Sequence, residues 1–113
     1  MKRLRFAGLS LLAALLASLS AARADVASAR AAFEQAEALI AQGRFDEAQK
    51  RVASVPRTDD YARVYGAFLD GRLAEATGRL TRARDIYRGI LNSHPDLARV
   101  RLHLARVLTR LED

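Results

Sequence analysis

One stretch of this 113-residue chain decides its fold: Gly71–Pro95, with the sequence GRLAEATGRLTRARDIYRGILNSHP. On both sides of Gly78, apolar residues recur at steps of three and four, the spacing that places side chains on one face of an α-helix. Gly78 suits a helix end, because glycine readily adopts the left-handed conformation found there. Pro95 cannot continue a helix interior. The stretch therefore predicts two short helices joined at Gly78.

The same spacing extends in both directions and predicts an all-α chain. Gly71 lies near the middle of one predicted helix, where glycine costs about 1 kcal/mol relative to alanine, so we expect a neighbouring helix to approach closely there. Thr81 is the expected cap of the next helix, and Pro95 suits the first turn of the last one. No alternating run of β-branched residues predicts a strand. After residue 24 the predicted helices are Asp25–Gln42, Phe45–Val55, Asp59–Thr77, 81–93 and one that opens at His94-Pro95-Asp96.

An internal repeat of 35 residues becomes visible when Gly78 is aligned with Gly43. Gln42-Gly43-Arg44-Phe45-x-x-Ala48 then matches Thr77-Gly78-Arg79-Leu80-x-x-Ala83. No single unit of this kind can bury its apolar face alone, so stacked neighbours are expected to share one core. The small residues expected where paired helices approach closely are Ala36, Gly71 and Ala105.

These spacings resemble the tetratricopeptide repeat, a helix–turn–helix unit of about 34 residues. The resemblance divides residues 25–113 into repeats at about 29–60 and 64–97 and a half repeat at 98–113. The first repeat departs from the pattern, because Pro56 shortens its second helix. Ala32 and Ala67 also stand where the family has a large aromatic residue. The resemblance implies a solenoid of about five short helices that binds other proteins and is not an enzyme.

Residues 1–24 have the pattern of a secretory signal peptide. A basic segment with Lys2, Arg3 and Arg5 precedes the uncharged run Phe6–Leu19, and Ala22-Arg23-Ala24 supplies small residues around a cleavage site. The 14 residues of that run span about 21 Å as a helix, less than the roughly 30 Å of a hydrocarbon core. Cleavage is therefore favoured, and an uncleaved membrane anchor is the alternative. The chain has no cysteine, which excludes disulfides and a lipid-modified cysteine.

Removal of the signal peptide changes what the charge implies. The formal net charge falls from +6 to +2, because all 13 acidic residues lie from Asp25 onward. A nearly neutral chain lacks the basic surface expected of a nucleic-acid-binding protein. The sequence thus favours a periplasmic protein whose partner is a protein or a peptide, not a nucleic acid.

The sequence contains no pattern typical of catalysis, and we expect no cofactor, metal site or small-molecule substrate. His94 and His103 lack the ligand spacing of a metal site, which favours a helix-cap role and a surface role for them. Asp59-Asp60 suits the first turn of a helix, where the dipole favours negative charge. No glycine-rich phosphate loop or nucleophile motif occurs.

The repeat resemblance implies that the first helix of each repeat lines a concave groove. Aromatic and arginine side chains there suit an extended or helical peptide with acidic groups, because guanidinium groups bind carboxylates in a bidentate manner. The alternative is a solvated groove with ordinary arginine usage. The lysine–asparagine clamp of some cytosolic relatives is not expected, since Leu69 stands where asparagine would be needed. The expected groove residues are Phe33, Glu37, Tyr65, Phe68, Arg72, Arg99, Leu102 and Arg106.

A narrower resemblance concerns the run His94–Leu108, HPDLARVRLHLARVL. It resembles the periplasmic repeat segment of the surface lipoprotein assembly modifier proteins of Gram-negative bacteria, over about Tyr61–Asp113. In that family a signal peptide precedes the repeats, an outer-membrane β-barrel follows them, and the whole is implicated in lipoprotein delivery to the cell surface. The resemblance implies a stand-alone repeat module or an N-terminal fragment of such a barrel protein, with a lipoprotein or an outer-membrane barrel as partner.

We predict that export through a Gram-negative inner membrane leaves Asp25 as the first residue, because cleavage would follow Ala24. N-terminal sequencing and intact-mass measurement of the exported protein check this. The variant Ala24→Arg, which removes the small residue before the cleavage site, is expected to retain residues 1–24. An exported wild-type protein that still begins at Met1 would favour the anchor.

Overall fold

The chain is mostly helical in the part that the structure describes. The computed structural model describes the backbone of residues 2–112 and the side chains of residues 10–21 and 23–112. Within residues 2–112 no strand occurs, and the all-α prediction is confirmed. The helices are α1 (Lys2–Ala41), α2 (Phe45–Ala53), α3 (Asp60–Ala76), α4 (Leu80–Ser93) and α5 (Ala98–Glu112).

The chain divides into two compact units, and the boundary falls within α1, after Arg30. We call the part up to Arg30 the first unit and the part from Ala31 onward the second unit. In the first unit, leucines such as Leu11 and Leu15 are exposed. Residues Ser10–Ala41 are long and apolar enough to cross a membrane, a criterion that N-terminal signal sequences also meet. The side chains of Lys2, Arg3, Arg5 and Ala22 lie outside the described ones, so the basic segment and the cleavage pattern stay predictions.

The second unit contains the other four helices, and the contact between α3 and α4 lies at its centre. A Cβ atom on Gly71 of α3 would overlap the ring of Tyr87 of α4, whose Cδ1 would lie 2.9 Å away. Tyr87 is completely buried, and its hydroxyl donates to Glu75 Oε2 at 2.8 Å. The predicted close approach at Gly71 is confirmed, and the approaching group is an aromatic ring.

The internal repeat is visible in the backbone at two helix ends. Gly43 and Gly78 have φ angles of +76° and +80°, the left-handed region that glycine tolerates. At each end the next residue donates its N–H to a carbonyl five residues back, Arg44 to Leu39 at 2.9 Å and Arg79 to Ala74 at 2.8 Å. Both turns therefore have the Schellman geometry and direct the chain into the next helix.

Several helix boundaries differ from those predicted, among them the end of α2, which comes two residues early, and the three described next. The helix α1 runs on through Asp25, because no glycine or proline interrupts residues 9–42. At α4, Leu80 is already helical and no side chain caps it, since the turn at Gly78 sets the entry and Thr81 is not needed as a cap. Pro95 lies in a turn, and α5 begins only at Ala98.

A row of aromatic rings crosses the second unit from α1 to α5. Phe33 of α1 stacks on Tyr65 of α3 with centroids 5.2 Å apart, and Tyr65 meets Phe68 at 6.1 Å. Phe68 in turn lies 6.2 Å from Tyr87 and 5.4 Å from His103 of α5. Such pairs add to the stability that burial alone provides. The row therefore joins α1, α3, α4 and α5 into one core.

We expect Gly71→Ala to lower the free energy of unfolding by about 1–3 kcal/mol, because the added methyl group overlaps the buried Tyr87 ring. Gly89→Ala in α4 is the control. Nothing lies within 4 Å of a Cβ there, so this variant should gain up to about 1 kcal/mol from helix propensity. Urea unfolding followed by circular dichroism measures both, and equal stability of the two variants would contradict the prediction.

Candidate functional site

Side chains of α1, α3 and α5 meet on one face of the second unit, which we call the inner face. Its members include Glu37 of α1 and Tyr65 and Arg72 of α3. On α5, Arg99, Leu102 and Arg106 follow at helical spacing and complete the face. These are the predicted groove residues other than the two phenylalanines. The helices α1 and α5 are joined here by a side-chain contact between Glu37 and Arg99, which lies over the aromatic row.

Glu37 is held by two partners at one end of the inner face. The Tyr65 hydroxyl donates to Glu37 Oε1 at 2.6 Å, and the Arg99 Nη1 lies 3.0 Å from the same oxygen. The Arg99 guanidinium carbon lies 5.1 Å from the centroid of the Phe68 ring, within the range of a cation–π contact. Arg99 therefore reaches from α5 to Glu37 of α1 above a buried ring, and both contacts of its guanidinium group are made within the chain.

This cluster shifts two pKa values in opposite directions. Burial raises the pKa of Glu37, but the hydrogen bonds from Tyr65 and Arg99 and the charges of Arg99 and Arg72 outweigh it, so the pKa lies below its ordinary value. Burial and the hydrogen bond to Glu37 raise the pKa of Tyr65 to about 12. At neutral pH the carboxylate is thus ionised and the phenol protonated, which are the states that this contact requires.

Further along α5 the inner face contains a pocket of about 270 Å³, which we call the arginine pocket. His103 lies in it, with Nδ1 3.0 Å from Glu75 Oε2, the oxygen that also accepts from Tyr87. The Arg110 Nη1 donates to the Glu75 backbone carbonyl at 3.3 Å. The residues that line the pocket are Ile40, Arg72, Glu75, Ala76, His103, Arg106 and Arg110.

Two predicted contact residues are not available to a partner. Phe33 is completely buried and Phe68 is only 4% exposed, because α1 and α5 pack over α3 at these rings. Both are core residues, and replacing Phe68 by alanine would damage the fold rather than a binding surface. Tyr65 and Arg72 are half-buried, whereas Arg106 is exposed and Leu102 is 52% exposed.

The prediction of a surface role for His103 is corrected by the structure. It is 9% exposed, and it is held between Phe68, Tyr87 and Glu75. His103 and Arg110 were both missed as members of the inner face. Helical spacing could have found them, because positions 99, 103, 106 and 110 follow one another at steps of three and four on α5.

A larger cleft of about 460 Å³ lies between α3, α4 and the connector that follows α2. Its charges are largely matched within the chain. The Arg57 Nη2 lies 2.6 Å from Asp70 Oδ2, and the His94 Nε2 lies 3.1 Å from Asp60 Oδ2. This cleft thus offers less uncompensated charge than the arginine pocket.

No cluster of three or more potential metal ligands occurs in the part of the chain that the structure describes. Comparison with protein-family models, with curated proteins and with solved structures found no match.

We expect Glu37→Gln to lower the free energy of unfolding at pH 7 by on the order of 1 kcal/mol, because it removes the charge that Arg99 and Tyr65 contact. A carboxylate whose pKa is lowered by folding stabilises the folded state at pH values above its ordinary pKa of 4.5. This stabilisation is lost as the pH falls through the pKa of the folded state. The difference between wild type and variant should therefore shrink toward pH 3.

Urea unfolding at pH 7 and pH 3 measures this difference. Glu34→Gln serves as the control, because Glu34 is exposed and makes no hydrogen bond or ion pair with the residues that the structure describes. Its effect should be small at both pH values. A Glu37→Gln effect that is equally large at pH 3 would contradict the interpretation.

Proposed function

We propose that this protein is a non-enzymatic interaction scaffold that binds a peptide segment of a partner protein across the inner face. The observation that supports this most is the arginine pocket, where Arg72, Arg106 and Arg110 converge from two helices. The exposed Leu102 lies about one helical turn before Arg106 on α5. A short apolar anchor next to cationic groups suits an extended or helical peptide. At the other end of the inner face, Glu37 is paired with Arg99 and Tyr65, and this end would contact the peptide without changing its conformation.

We further propose that the helices form a tetratricopeptide-type unit. The matching turns at Gly43 and Gly78 and the close approach at Gly71 support this assignment. In solenoids of this kind the concave surface is where partners commonly bind. The peptide would then cross α1, α3 and α5, the helices whose side chains meet on the inner face.

Export to the periplasm is part of the proposal. The apolar N-terminal helix, with exposed leucines in its first unit, is compatible with a signal sequence that is removed after Ala24. A soluble module would then remain on the periplasmic side.

A second candidate function is that of a helical segment within an outer-membrane protein of the surface lipoprotein assembly modifier type. The observation that favours it lies on the outer side of α5, where Leu104 and Leu108 are half-buried and Leu111 is exposed. A further helix or a barrel domain would cover such a surface. Sequencing the gene beyond the codon for Asp113 tests this candidate, which requires an in-frame barrel of alternating strands.

Peptides selected from a random library against the full chain are expected to bind the inner face. Leu102→Asp should weaken them at least tenfold, about 1.4 kcal/mol, because it places a charge on the apolar part of that face. Leu111→Asp is the matched control on the opposite side of α5, and it should change the affinity less than twofold. Isothermal titration calorimetry measures both, with thermal melts to check folding.

The proposal is overturned if no peptide is selected, or if the two leucine variants bind the selected peptides equally well.

A further inference from the structure

The arginine pocket contains more positive than negative charge, since three arginines line it with one carboxylate. Among the residues that the structure describes, Arg72 and Arg106 have no hydrogen-bond or ion-pair partner, although the charge of Arg72 acts on Glu37 at longer range. Arg99, on the same face of α5, is by contrast paired with Glu37 at 3.0 Å. The two ends of the inner face therefore differ in charge, although arginine occurs at both.

The single acidic side chain of the pocket, Glu75, offsets the charge of only one of its three arginines and forms an ion pair with none of them. Glu75 is largely buried, with 15% of its side chain exposed, and its Oε2 accepts from the Tyr87 hydroxyl and lies 3.0 Å from His103 Nδ1. Its backbone carbonyl accepts from Arg110, which holds that guanidinium at the pocket rim. Glu75 thus positions the surrounding groups, and the side chains of Arg72 and Arg106 keep their donors available.

We propose that the arginine pocket binds a carboxylate of the peptide, with Arg72 and Arg106 as the primary donors and Arg110 at the rim. The inference rests on the proposed function, because it names the chemical group that the inner face recognises. Guanidinium groups match a carboxylate geometrically and bind it through two parallel hydrogen bonds. On the same face Glu37 shows that an arginine of α5 can contact a carboxylate, there through a single Nη1–Oε1 contact at 3.0 Å with Arg99.

The size and the lining of the pocket fit a carboxylate on a short apolar stem. Its volume of about 270 Å³ exceeds that of a lone anion. Ile40 and Ala76 supply apolar contact next to the arginines. An aspartate or glutamate side chain and a C-terminal residue with its free carboxylate both carry such a stem. These two sources share one chemistry, and the experiment separates them.

Three versions of one selected peptide are compared by calorimetry with the full chain. The first has a free C-terminus and no acidic side chain, the second has an amidated C-terminus and one acidic side chain, and the third has neither. We expect the third version to bind at least tenfold more weakly than one of the others, and the better of those two identifies the source of the carboxylate. Equal affinity of all three versions overturns the inference, while their continued sensitivity to Leu102→Asp would leave the proposed function standing.

Arginine variants test whether the affinity gained from the peptide carboxylate arises in the arginine pocket. Arg106→Ala is expected to abolish the advantage of the carboxylate, and Arg106→Lys to restore only part of it, because lysine keeps the charge and loses the bidentate geometry. Arg101→Ala, at an exposed arginine outside the pocket lining, should keep the full advantage. A loss of the advantage in Arg101→Ala as large as that in Arg106→Ala would overturn the assignment to the pocket.

A second measurement does not depend on any peptide. Titration of the full chain with N-acetylglutamate, followed through the arginine Nε–Hε signals by NMR, is expected to shift Arg72 and Arg106 but not Arg101. The shifts should be lost in Arg106→Ala. If no peptide is ever selected, the proposed function fails, and this titration still decides whether the pocket binds carboxylates. Absence of any shift overturns the inference.

Discussion

The packing of the Tyr87 ring against Gly71 is the contact on which the second unit depends. It lets α3 and α4 approach closely, and it places the Tyr87 hydroxyl 2.8 Å from Glu75. The same carboxylate oxygen lies 3.0 Å from His103 on α5. The position of α5 therefore depends on the contact between α3 and α4. A residue larger than glycine at position 71 would disturb all three helices at once.

The aromatic row connects α1 to these three helices. Phe33 and Phe68 are buried on either side of Tyr65, and the Tyr65 hydroxyl reaches Glu37 at 2.6 Å. The phenylalanines thus contribute to the inner face indirectly, by bringing Glu37 of α1 within reach of Arg99 of α5. A buried ring beneath a guanidinium group, such as Phe68 beneath Arg99, also fixes where that charge can lie.

The inner face consequently has two ends with different electrostatics. At one end Glu37 neutralises Arg99, and the low pKa of the carboxylate keeps this contact formed through neutral pH. At the other end the acidic residue, Glu75, is held by Tyr87 and His103, and three arginines line the same pocket, so arginine charge exceeds carboxylate charge there. Two arginines on the same face of α5 therefore have different roles. Arg99 makes a fixed contact within the chain, whereas Arg106 has donors available for a partner.

Local signals in the sequence determined the helical class, the turns at Gly43 and Gly78 and the need for a small residue at position 71. These follow from short-range physics: side-chain periodicity within a helix, and the backbone freedom of glycine. They failed at the start of α5, where Pro95 suits the first turn of a helix on local grounds but lies in a turn before the helix begins.

Only the tertiary structure decided which inner-face residues are buried, paired or available. Phe68 and Leu102 have the same apolar character, yet one lies in the core and the other is 52% exposed. Arg99 and Arg106 lie on one helix, but a carboxylate of α1 reaches only the first. Burial and ion pairing depend on distances between helices that are remote in the chain, and helical periodicity carries no information about those distances.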